Sequence, residues 1–352
     1  MKKLTVILFS VVLLGAGCAG LTGTKKGAGP DGGVFKSSDA GTTWTQVAAV
    51  PTAQGMGTLA TTDVLNLEMD PSDRFVLYAG SRTSGFVSTQ DGAMSWQLPR
   101  QAIFREGLIY AVEVDPNASC TYFVAKGNRL YKTSDCGRSF SDEAYVETRA
   151  GITILQVAVD WYNKGTVWIG LSNGDVLKST DAGASWRASL KLGEEISEIM
   201  LNNRDSRQVM ISSYKGGIWR TIDGGERWEK ADGSISKLTG SSRVFALSQT
   251  ADGSVLLAAT QYGLLRSKDF GATWEAITLL TSPNQVTIRA AALAPEAPHV
   301  MYYATPGTFY RTNDGGVTWQ TQKFPSARVP RAIVIDPKDE AVLYIGVAQP
   351  QD

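Results

Sequence analysis

The sequence has a single histidine, His299, and only three cysteines among its 352 residues. With one imidazole, a histidine-based catalytic triad and a histidine-rich metal site are both excluded. His299 falls in a turn between two apolar runs, where a surface position is expected. No glycine-rich phosphate loop follows a strand and opens a helix. We therefore expect neither a metal nor an organic cofactor.

An excess of charge of one sign is also missing. The 34 lysines and arginines are balanced by 34 aspartates and glutamates. Proteins that bind nucleic acid usually present a basic excess, so nucleic acid is not an expected partner. Beyond the N-terminus, no apolar run is long enough to cross a bilayer.

The N-terminus predicts an exported lipoprotein. Two lysines precede an apolar run from Leu4 to Leu14, and small residues lead to Cys18. This is the order of a secretory signal peptide. The Ala-Gly-Cys junction resembles the lipobox of bacterial lipoproteins, which implies a lipid on Cys18 as a membrane anchor. An ordinary signal that leaves Cys18 free is the alternative. We assign 1–17 to the signal and 18–31 to a flexible tether, and expect the outer membrane, periplasm or cell surface.

What the sequence does contain is one nine-residue motif written seven times. An aspartate recurs every 42 to 52 residues, a spacing typical of propellers and solenoids. Ser or Thr stands two residues before each aspartate, and Lys or Arg stands three before it in six copies, the exception being Ser88. An aromatic residue follows five later. The aspartates and their aromatic residues are Asp39, Asp91, Asp135, Asp181, Asp223, Asp269 and Asp314, with Trp44, Trp96, Phe140, Trp186, Trp228, Trp274 and Trp319.

Each copy predicts the tight turn of a β-hairpin. Asp and Ser/Thr side chains accept hydrogen bonds from backbone N–H groups inside a turn. Glycine two residues after the aspartate suits a positive φ, and the aromatic ring indicates packing in a core. The second copy has Ala93 in place of this glycine, so we expect its turn to be the most strained.

The motif resembles the Asp-box, or bacterial neuraminidase repeat, whose signature is S/T-x-D-x-G-x-x-W/F. The resemblance implies a turn between the third and fourth strands of a propeller blade, with a structural aspartate. Seven equivalent carboxylates around a ring lie far apart. A shared metal or acid–base site built from the boxes is therefore not expected.

A second element precedes each box and consists of an apolar run, a turn such as Asp-Pro, and another apolar run, as in 64–80. Each unit thus has four strands, A to D. Residues 33–48 supply only strands C and D, and 331–347 only A and B, so the ends should pair in one composite blade. We predict an all-β fold: a seven-bladed β-propeller of four-stranded antiparallel blades over 32–352, monomeric on its own.

The remaining two cysteines fit an oxidising compartment. We expect Cys120 to begin strand B of its blade, and Cys136 lies in the C–D turn of the same blade. A B–C hairpin that turns near 126–128 brings residue 120 opposite about residue 134. We predict a Cys120–Cys136 disulfide, with two separate buried thiols as the alternative.

Alternation along strand A points every second side chain into the central channel. Counting from the Asp-Pro turns places these residues there: Asn66, Glu68, Ala111, Glu113, Gln156, Ala158 and Glu198. Glu68, Glu113 and Glu198 are weak catalytic candidates, because two carboxylates suffice for glycoside hydrolysis and like charges shift each other's pKa. The alternative is that they only hydrogen-bond channel water.

The face opposite the boxes, formed by the D–A and B–C loops, is the expected binding face. Its candidates are Arg82, Arg105, Arg149, Tyr214, Lys215, Arg243, Tyr262, Arg289 and Arg331. Arginine and tyrosine are enriched in binding hot spots. An ordinary solvated surface is the alternative. The long connection 48–63 is either a contact loop or slack.

The number of propellers and of boxes in the chain indicates which group of Asp-box proteins it resembles most. Sialidases carry Asp-boxes, but their F/Y-R-I-P motif is missing from this sequence. Xyloglucan-cleaving enzymes of the Asp-box type place their carboxylates between two propellers. A single propeller with a box in every blade is most similar to the photosystem II assembly-factor family and to sortilin-type propellers, which are binding platforms.

These resemblances imply a non-catalytic propeller that binds a protein or glycan partner at the cell envelope. A secreted glycoside hydrolase and an inert component of a larger envelope complex are the two alternatives.

Overall fold

The computed structural model describes residues 30–350, leaving aside the side chains of 141–143, and this part of the chain is built of β-strands with two 3₁₀ turns. The predicted signal peptide, Cys18 and the tether up to residue 29 lie outside the described residues.

The first strands are β1 (Gly33–Ser37), β2 (Thr45–Gln46), β3 (Ala49–Thr52), β4 (Gly55–Thr58), β5 (Val64–Asp70), β6 (Asp73–Ser81), β7 (Phe86–Thr89), β8 (Ala111–Val114), β9 (Tyr122–Lys126), β10 (Arg129–Thr133) and β11 (Ser141–Val146). They are followed by β12 (Ile154–Val159), β13 (Val167–Leu171), β14 (Asp175–Ser179), β15 (Arg187–Lys191), β16 (Ile196–Leu201), β17 (Val209–Ser213), β18 (Gly217–Thr221) and β19 (Glu229–Lys230). The last are β20 (Val244–Gln249), β21 (Leu256–Thr260), β22 (Leu264–Ser267), β23 (Glu275–Ala276), β24 (Ala290–Leu293), β25 (Met301–Thr305), β26 (Thr308–Thr312), β27 (Gln320–Lys323), β28 (Val329–Ile335) and β29 (Leu343–Ala348). The 3₁₀ turns are Ala102–Phe104 and Gly233–Ile235.

Hydrogen bonding groups these strands into eight antiparallel sheets, of which seven are blades and the eighth is the hairpin β3–β4. Blade I has the order β2-β1-β29-β28, and blades II to VII start at β5, β8, β12, β16, β20 and β24. Apolar clusters fill the spaces between neighbouring blades. The predicted seven-bladed propeller is confirmed.

Blade II departs from the four-stranded pattern. Its sheet has three strands, and its outermost strand is reduced to one bridge between Ser88 and Gln97. The connection 48–63 contains the hairpin β3–β4, whose Ala49 carbonyl accepts the N–H of Trp96. This connection is therefore not slack, because it packs against the second box.

The composite blade closes the ring as predicted. Strand β1 pairs with β29, with Phe35 opposite Ile345. Two strands from each end of the described chain thus share one sheet, so no blade is left with an exposed inner edge.

The ring has two faces. The A–B turns and the box turns between strands C and D form one face, which we call the box face. The D–A and B–C connections form the other, which we call the loop face. The N-terminal end of the described chain enters on the loop face, where Asp31 contacts the loop before β28.

An ion-pair network reinforces the closure on the loop face. Arg328 is buried and pairs with Asp63 at 2.8 Å and with Asp31 at 3.1 Å. Asp63 also accepts the backbone N–H of Gln349 at 2.8 Å. One guanidinium thus holds together the first described residues, the entry to blade II and the C-terminal strands.

The box turns share one hydrogen-bond pattern, illustrated by the first. The Ser37 hydroxyl donates to Asp39 at 2.8 Å and accepts the N–H of Gly41 at 2.9 Å. Asp39 in turn accepts the backbone N–H of Thr43 at 2.8 Å and its hydroxyl at 2.6 Å. The aspartates are fully engaged inside their own turns, and the boxes form no shared site.

These hydrogen bonds make the boxes sensitive to acid. Donation from Ser139 and Thr318 lowers the pKa of Asp135 and Asp314 to about 2. A carboxyl group whose pKa is lowered by folding stabilises the folded protein at pH values above its pKa in the unfolded chain, which is near 4. That contribution is lost as the pH falls toward 2.

Backbone strain is distributed differently from our expectation. Both residues after each box aspartate have a positive φ, and non-glycine residues occupy one of these positions in five boxes: Ala40, Ala93, Cys136, Ala182 and Phe270. The prediction singled out Ala93 because it counted only the second position. Ala93 has a φ of 67°, close to the 60° of Cys136.

Six boxes have glycine at the second position, and close packing is a further reason for it. A Cβ on Gly41 would overlap the Phe309 ring, and a Cβ on Gly225 would overlap the Trp168 ring. Each large side chain comes from the preceding blade. The box glycines therefore allow neighbouring blades to approach each other.

The basic residue three positions before the aspartate links one blade to the next. Lys36 donates to the Gly92 carbonyl at 2.9 Å, and Lys178 donates to the Gly224 carbonyl at 2.8 Å. Arg266 reaches the Gly315 carbonyl in the same way, at 3.1 Å. The acceptor is a left-handed turn residue of the following box, so these cations tie successive boxes around the ring.

Cys120 and Cys136 form a disulfide in blade III. The expectation that Cys120 begins strand B is wrong, because β9 begins at Tyr122 and Cys120 lies in the A–B turn with a φ of 64°. The carbonyl of Cys120 accepts the N–H of Cys136 at 2.9 Å, as the Gly165 carbonyl accepts the N–H of Ala182 in blade IV. Box III contains Phe140 and so lacks an indole N–H, and the disulfide is a covalent link at this box.

Candidate functional site on the loop face

A cavity of about 390 Å³ occupies the centre of the ring. Its deeper wall comes from the A strands and includes Asn66, Glu68, Ala111, Glu113, Gln156 and Glu198, while its loop-face rim includes Arg82, Tyr214, Phe245, Arg289 and Arg331. Ala158, expected in the channel, instead packs in the apolar cluster beside Trp168.

Two amides in the cavity wall connect neighbouring blades. Asn66 donates to the Tyr110 carbonyl at 2.8 Å and accepts the N–H of Gly80 at 3.0 Å. Gln156 donates to the Ser197 carbonyl at 2.8 Å. Both side chains have satisfied hydrogen bonds, so their role is to hold the ring together at the channel.

The three channel glutamates share an unusual electrostatic environment. Burial, followed by repulsion from neighbouring acids, raises the pKa of Glu113 and Glu198 to about 8 and moves the pKa of Glu68 well above its usual range. Among the described residues, none of the three has a cationic partner, although Glu113 accepts the N–H of Val159 at 3.3 Å. With pKa values of about 8, Glu113 and Glu198 favour the protonated form at neutral pH and then present hydroxyl donors to the cavity.

Replacing Glu113 by glutamine is expected to make the protein more stable at pH 8 by about 4–5 kcal/mol, relative to its effect at pH 4. The folded chain keeps the Glu113 proton up to a pKa of about 8, whereas the unfolded chain releases it near 4.3. The stability of the wild type therefore falls as the pH rises through this interval. Glutamine still accepts the Val159 N–H but cannot ionise. Thermal melts from pH 5 to pH 9 check this, and parallel curves for both proteins would contradict it.

Three arginines crowd the rim of the cavity at blades VI, VII and I. The guanidinium of Arg289 lies 4.7 Å from the centre of the Phe245 ring, and that of Arg243 lies 5.9 Å from it. Burial and repulsion from Arg331 lower the pKa of Arg289. Within residues 30–350, Arg243, Arg289 and Arg331 have no carboxylate at ion-pair distance. The rim is therefore a site of uncompensated positive charge.

The other predicted binding residues fall into two groups. Arg82 lines the cavity but pairs with Asp63 at 3.1 Å, and Tyr214 packs its ring 6.2 Å from that of Phe245. Arg105 and Arg149 are occupied, the first by the backbone carbonyls of 99 and 100 and the second by carboxylates on the same face. Lys215 is exposed on the loop face.

Tyr262 belongs to a second depression, of about 290 Å³, formed by blade VI and the connection that follows it. Ile277, Leu279, Leu280 and Pro283 line this depression, and the Leu280 side chain is 60% exposed. Sequence reasoning missed it. The only signal was the adjacent pair Leu279 and Leu280 in a segment otherwise polar enough to be a loop.

Among the described residues, no helix is long and apolar enough to cross a membrane. A family model described as "Photosynthesis system II assembly factor YCF48" matches residues 8–206.

The curated relatives include both enzymes and binding proteins. A photosystem II assembly lipoprotein Ycf48 of Synechococcus is 25% identical over 68% of this chain and 69% of its own length. Mouse sortilin is 22% identical over 64% of this chain. A probable oligoxyloglucan-reducing end-specific xyloglucanase of Neosartorya fischeri is 24% identical over 46% of it. The matched regions span only 28% of sortilin and 22% of the xyloglucanase.

Solved structures show the same mixture. A GH74 xyloglucanase from Xanthomonas campestris superposes with a TM-score of 0.66 at 17% identity, over 87% of this chain and 52% of its own. A structure of YCF48 bound to a D1 peptide superposes with a TM-score of 0.62 at 16% identity, over 83% of this chain and 94% of its own. At these identities the likeness establishes the propeller fold alone.

Proposed function

The chain belongs to the family of the photosynthesis system II assembly factor YCF48, and from that premise we propose that it is a non-catalytic platform that binds a protein partner through its loop face at the cell envelope. A relative whose structure contains a bound D1 peptide supports a protein ligand. The superposition also covers 94% of the YCF48 chain, whereas it covers only 52% of the xyloglucanase chain.

The observation that carries the proposal is the uncompensated arginine cluster over Phe245. Arg289 is half-buried, stacks on Phe245 and repels Arg331. Burying unpaired like charges costs free energy, which carboxylates of a partner would offset. Aromatic and arginine side chains in a partly desolvated rim are also the usual anchors of protein interfaces.

We further propose that the protein is exported and held at a membrane by a lipid on Cys18. The sequence around Cys18 supports an anchor, as does the Synechococcus relative, which is a lipoprotein by name. Because the described chain enters the propeller on the loop face, such an anchor would hold that face toward the bilayer. The mass of the mature N-terminal peptide, with or without acyl chains, decides this point.

Photo-crosslinking in living cells tests the binding proposal. A photoreactive residue at position 215, on the loop face, should yield a discrete protein adduct, and the same residue at position 164, on the box face, should not. The adduct should fall by about tenfold in an Arg289→Gln background, because a charge-assisted contact is lost. An adduct of equal yield from both faces, or one indifferent to Arg289→Gln, would contradict the proposal.

A glycoside hydrolase is the second candidate, favoured by the carboxyl groups of Glu68, Glu113 and Glu198 in one cavity. Such an enzyme needs two carboxyl groups whose pKa values are pushed apart, one acid and one ionised base or nucleophile. Here all three pKa values are raised. Turnover of xyloglucan oligosaccharides that Glu113→Gln abolishes would establish the enzyme instead.

A further inference from the structure

The arginine rim and the second depression lie side by side on blade VI. Gln261 and Tyr262 are consecutive residues in the loop between them. The N–H of Gln261 donates to the Arg243 carbonyl at 2.9 Å, and the N–H of Asn284 donates to the Tyr262 carbonyl at 3.2 Å. We call the surface formed by Arg243, Phe245, Arg289, Tyr262 and Leu280 the blade VI patch. It places a cationic end next to an apolar end.

The patch is held in a fixed shape by contacts between its loops. Asn284 donates through its side chain to the Thr239 carbonyl at 3.1 Å, and Thr287 contacts the side chain of Gln261 at 3.4 Å. The loop before β20 and the loop before β24 are thus tied to each other and to the β21–β22 turn. A rigid surface loses little conformational entropy when it binds.

The three segments that form the patch carry charge of one sign. In the segments 233–251, 253–265 and 276–294, the charged residues are Lys237, Arg243 and Arg289, with the acidic Asp252, Asp269 and Glu275 falling between segments. These three acids lie on the opposite face, Asp252 in the A–B turn of blade VI and the other two in or next to its box. The carboxyl groups that line the cavity belong to blades II, III and V: Glu68, Glu113, Glu195 and Glu198. The patch therefore complements a negatively charged ligand.

We propose that the blade VI patch binds an extended polypeptide segment that carries an acidic side chain and, a few residues away, a large apolar side chain. The carboxylate pairs with Arg289 and Arg243 above Phe245, while the apolar side chain covers Leu280 and enters the 290 Å³ depression beside it. This inference rests on the proposed function and adds to it the chemistry of the partner.

A polypeptide fits the patch better than a glycan does. Sugar rings stack on exposed aromatic faces, whereas aliphatic side chains and a proline, together with Tyr262, line the depression. An exposed leucine next to a cationic rim instead complements an extended polypeptide that carries both an apolar and an acidic side chain. Such a chain places neighbouring side chains about 7 Å apart on one face.

Selection from a library of short random peptides displayed on phage tests the proposal with purified protein. The enriched peptides should share an acidic residue and a large apolar residue at a constant separation. A synthetic copy of the best peptide should bind about tenfold more weakly to Arg289→Gln and to Leu280→Asp, as measured by fluorescence anisotropy. Replacing its acidic residue by the amide should have the same effect on wild type and little further effect on Arg289→Gln.

The matched control is the double variant Lys164→Gln with Lys338→Gln, which removes exposed lysines from the box face. It should bind the peptide like the wild type, and all variants should melt at similar temperatures. Failure to enrich any peptide, peptides without the shared acid, or binding that neither Arg289→Gln nor Leu280→Asp weakens would overturn the inference.

The two proposals fail separately. Adducts at position 215 in cells without an acidic–apolar peptide signature would leave a protein-binding platform whose partner has other chemistry. Peptide binding at the patch without loop-face adducts would leave the chemistry of the patch intact and remove the cellular function.

Discussion

The Arg328→Met variant is expected to lose about 3–5 kcal/mol of the free energy of unfolding, because it leaves Asp31 without a cation and removes one of the two arginines that pair with Asp63 in a largely buried network. Arg328 is 8% exposed and donates to Asp31, to Asp63 and to the Thr61 carbonyl. Methionine fills similar space, so the loss reports the missing charge and hydrogen bonds. Urea unfolding followed by tryptophan fluorescence measures it.

A matched control removes an arginine from an exposed ion pair. Arg187 pairs with Glu226 at 2.6 Å, but the two side chains are 49% and 64% exposed. Exposed pairs contribute little, so Arg187→Met should cost less than about 1 kcal/mol. If both variants lose the same amount, closure of the ring does not depend on Arg328.

The Gly225→Ala variant is expected to lose about 3 kcal/mol, whereas Gly224→Ala should lose about 1 kcal/mol. Both glycines have a positive φ, 74° for Gly224 and 90° for Gly225, so both substitutions carry a backbone cost. Only a Cβ on Gly225 also overlaps the Trp168 ring of the preceding blade. The Cβ on Gly224 meets nothing closer than the Lys178 ammonium at 3.5 Å.

The same urea titration compares the two alanine variants. Ala40 and Ala182 occupy the position of Gly224 in other boxes with φ values of 55° and 59°, which shows that alanine is tolerated there. Equal losses for the two variants would mean that backbone conformation alone, and not the approach of the neighbouring blade, demands the glycine at position 225.

Local features of the fold were accessible from the sequence because each blade repeats them. The box aspartates and their aromatic partners marked every turn, and the half-units at the two ends predicted the composite blade. The phase of strand A also placed Glu68, Glu113 and Glu198 in the cavity correctly, since alternation is a local rule. Ala158 has the same phase but does not line the cavity, because it packs in the apolar cluster that contains Trp168.

Features that depend on distant residues were not accessible. Arg328 forms an ion pair with Asp31, 297 positions away in the sequence, and no sequence motif predicts that contact. The basic residue before six of the boxes was visible, but the acceptor of Lys36, Lys178 and Arg266 is a carbonyl of the next blade. Arg149 and Arg289 looked alike in their loops, and only the neighbouring carboxylates on the folded surface distinguish an occupied arginine from an available one.

The composite blade also sets the order of events during synthesis. Strand β1 is made first, yet its partner β29 is made about 300 residues later, because Phe35 pairs with Ile345. Contacts this distant along a chain form slowly and late. Until β28 and β29 have been translated, the ring stays open, and the Gln349 N–H that binds Asp63 is not yet present. The ring can therefore close only after the last strands have been made, even though blades II to VII are each built from consecutive strands.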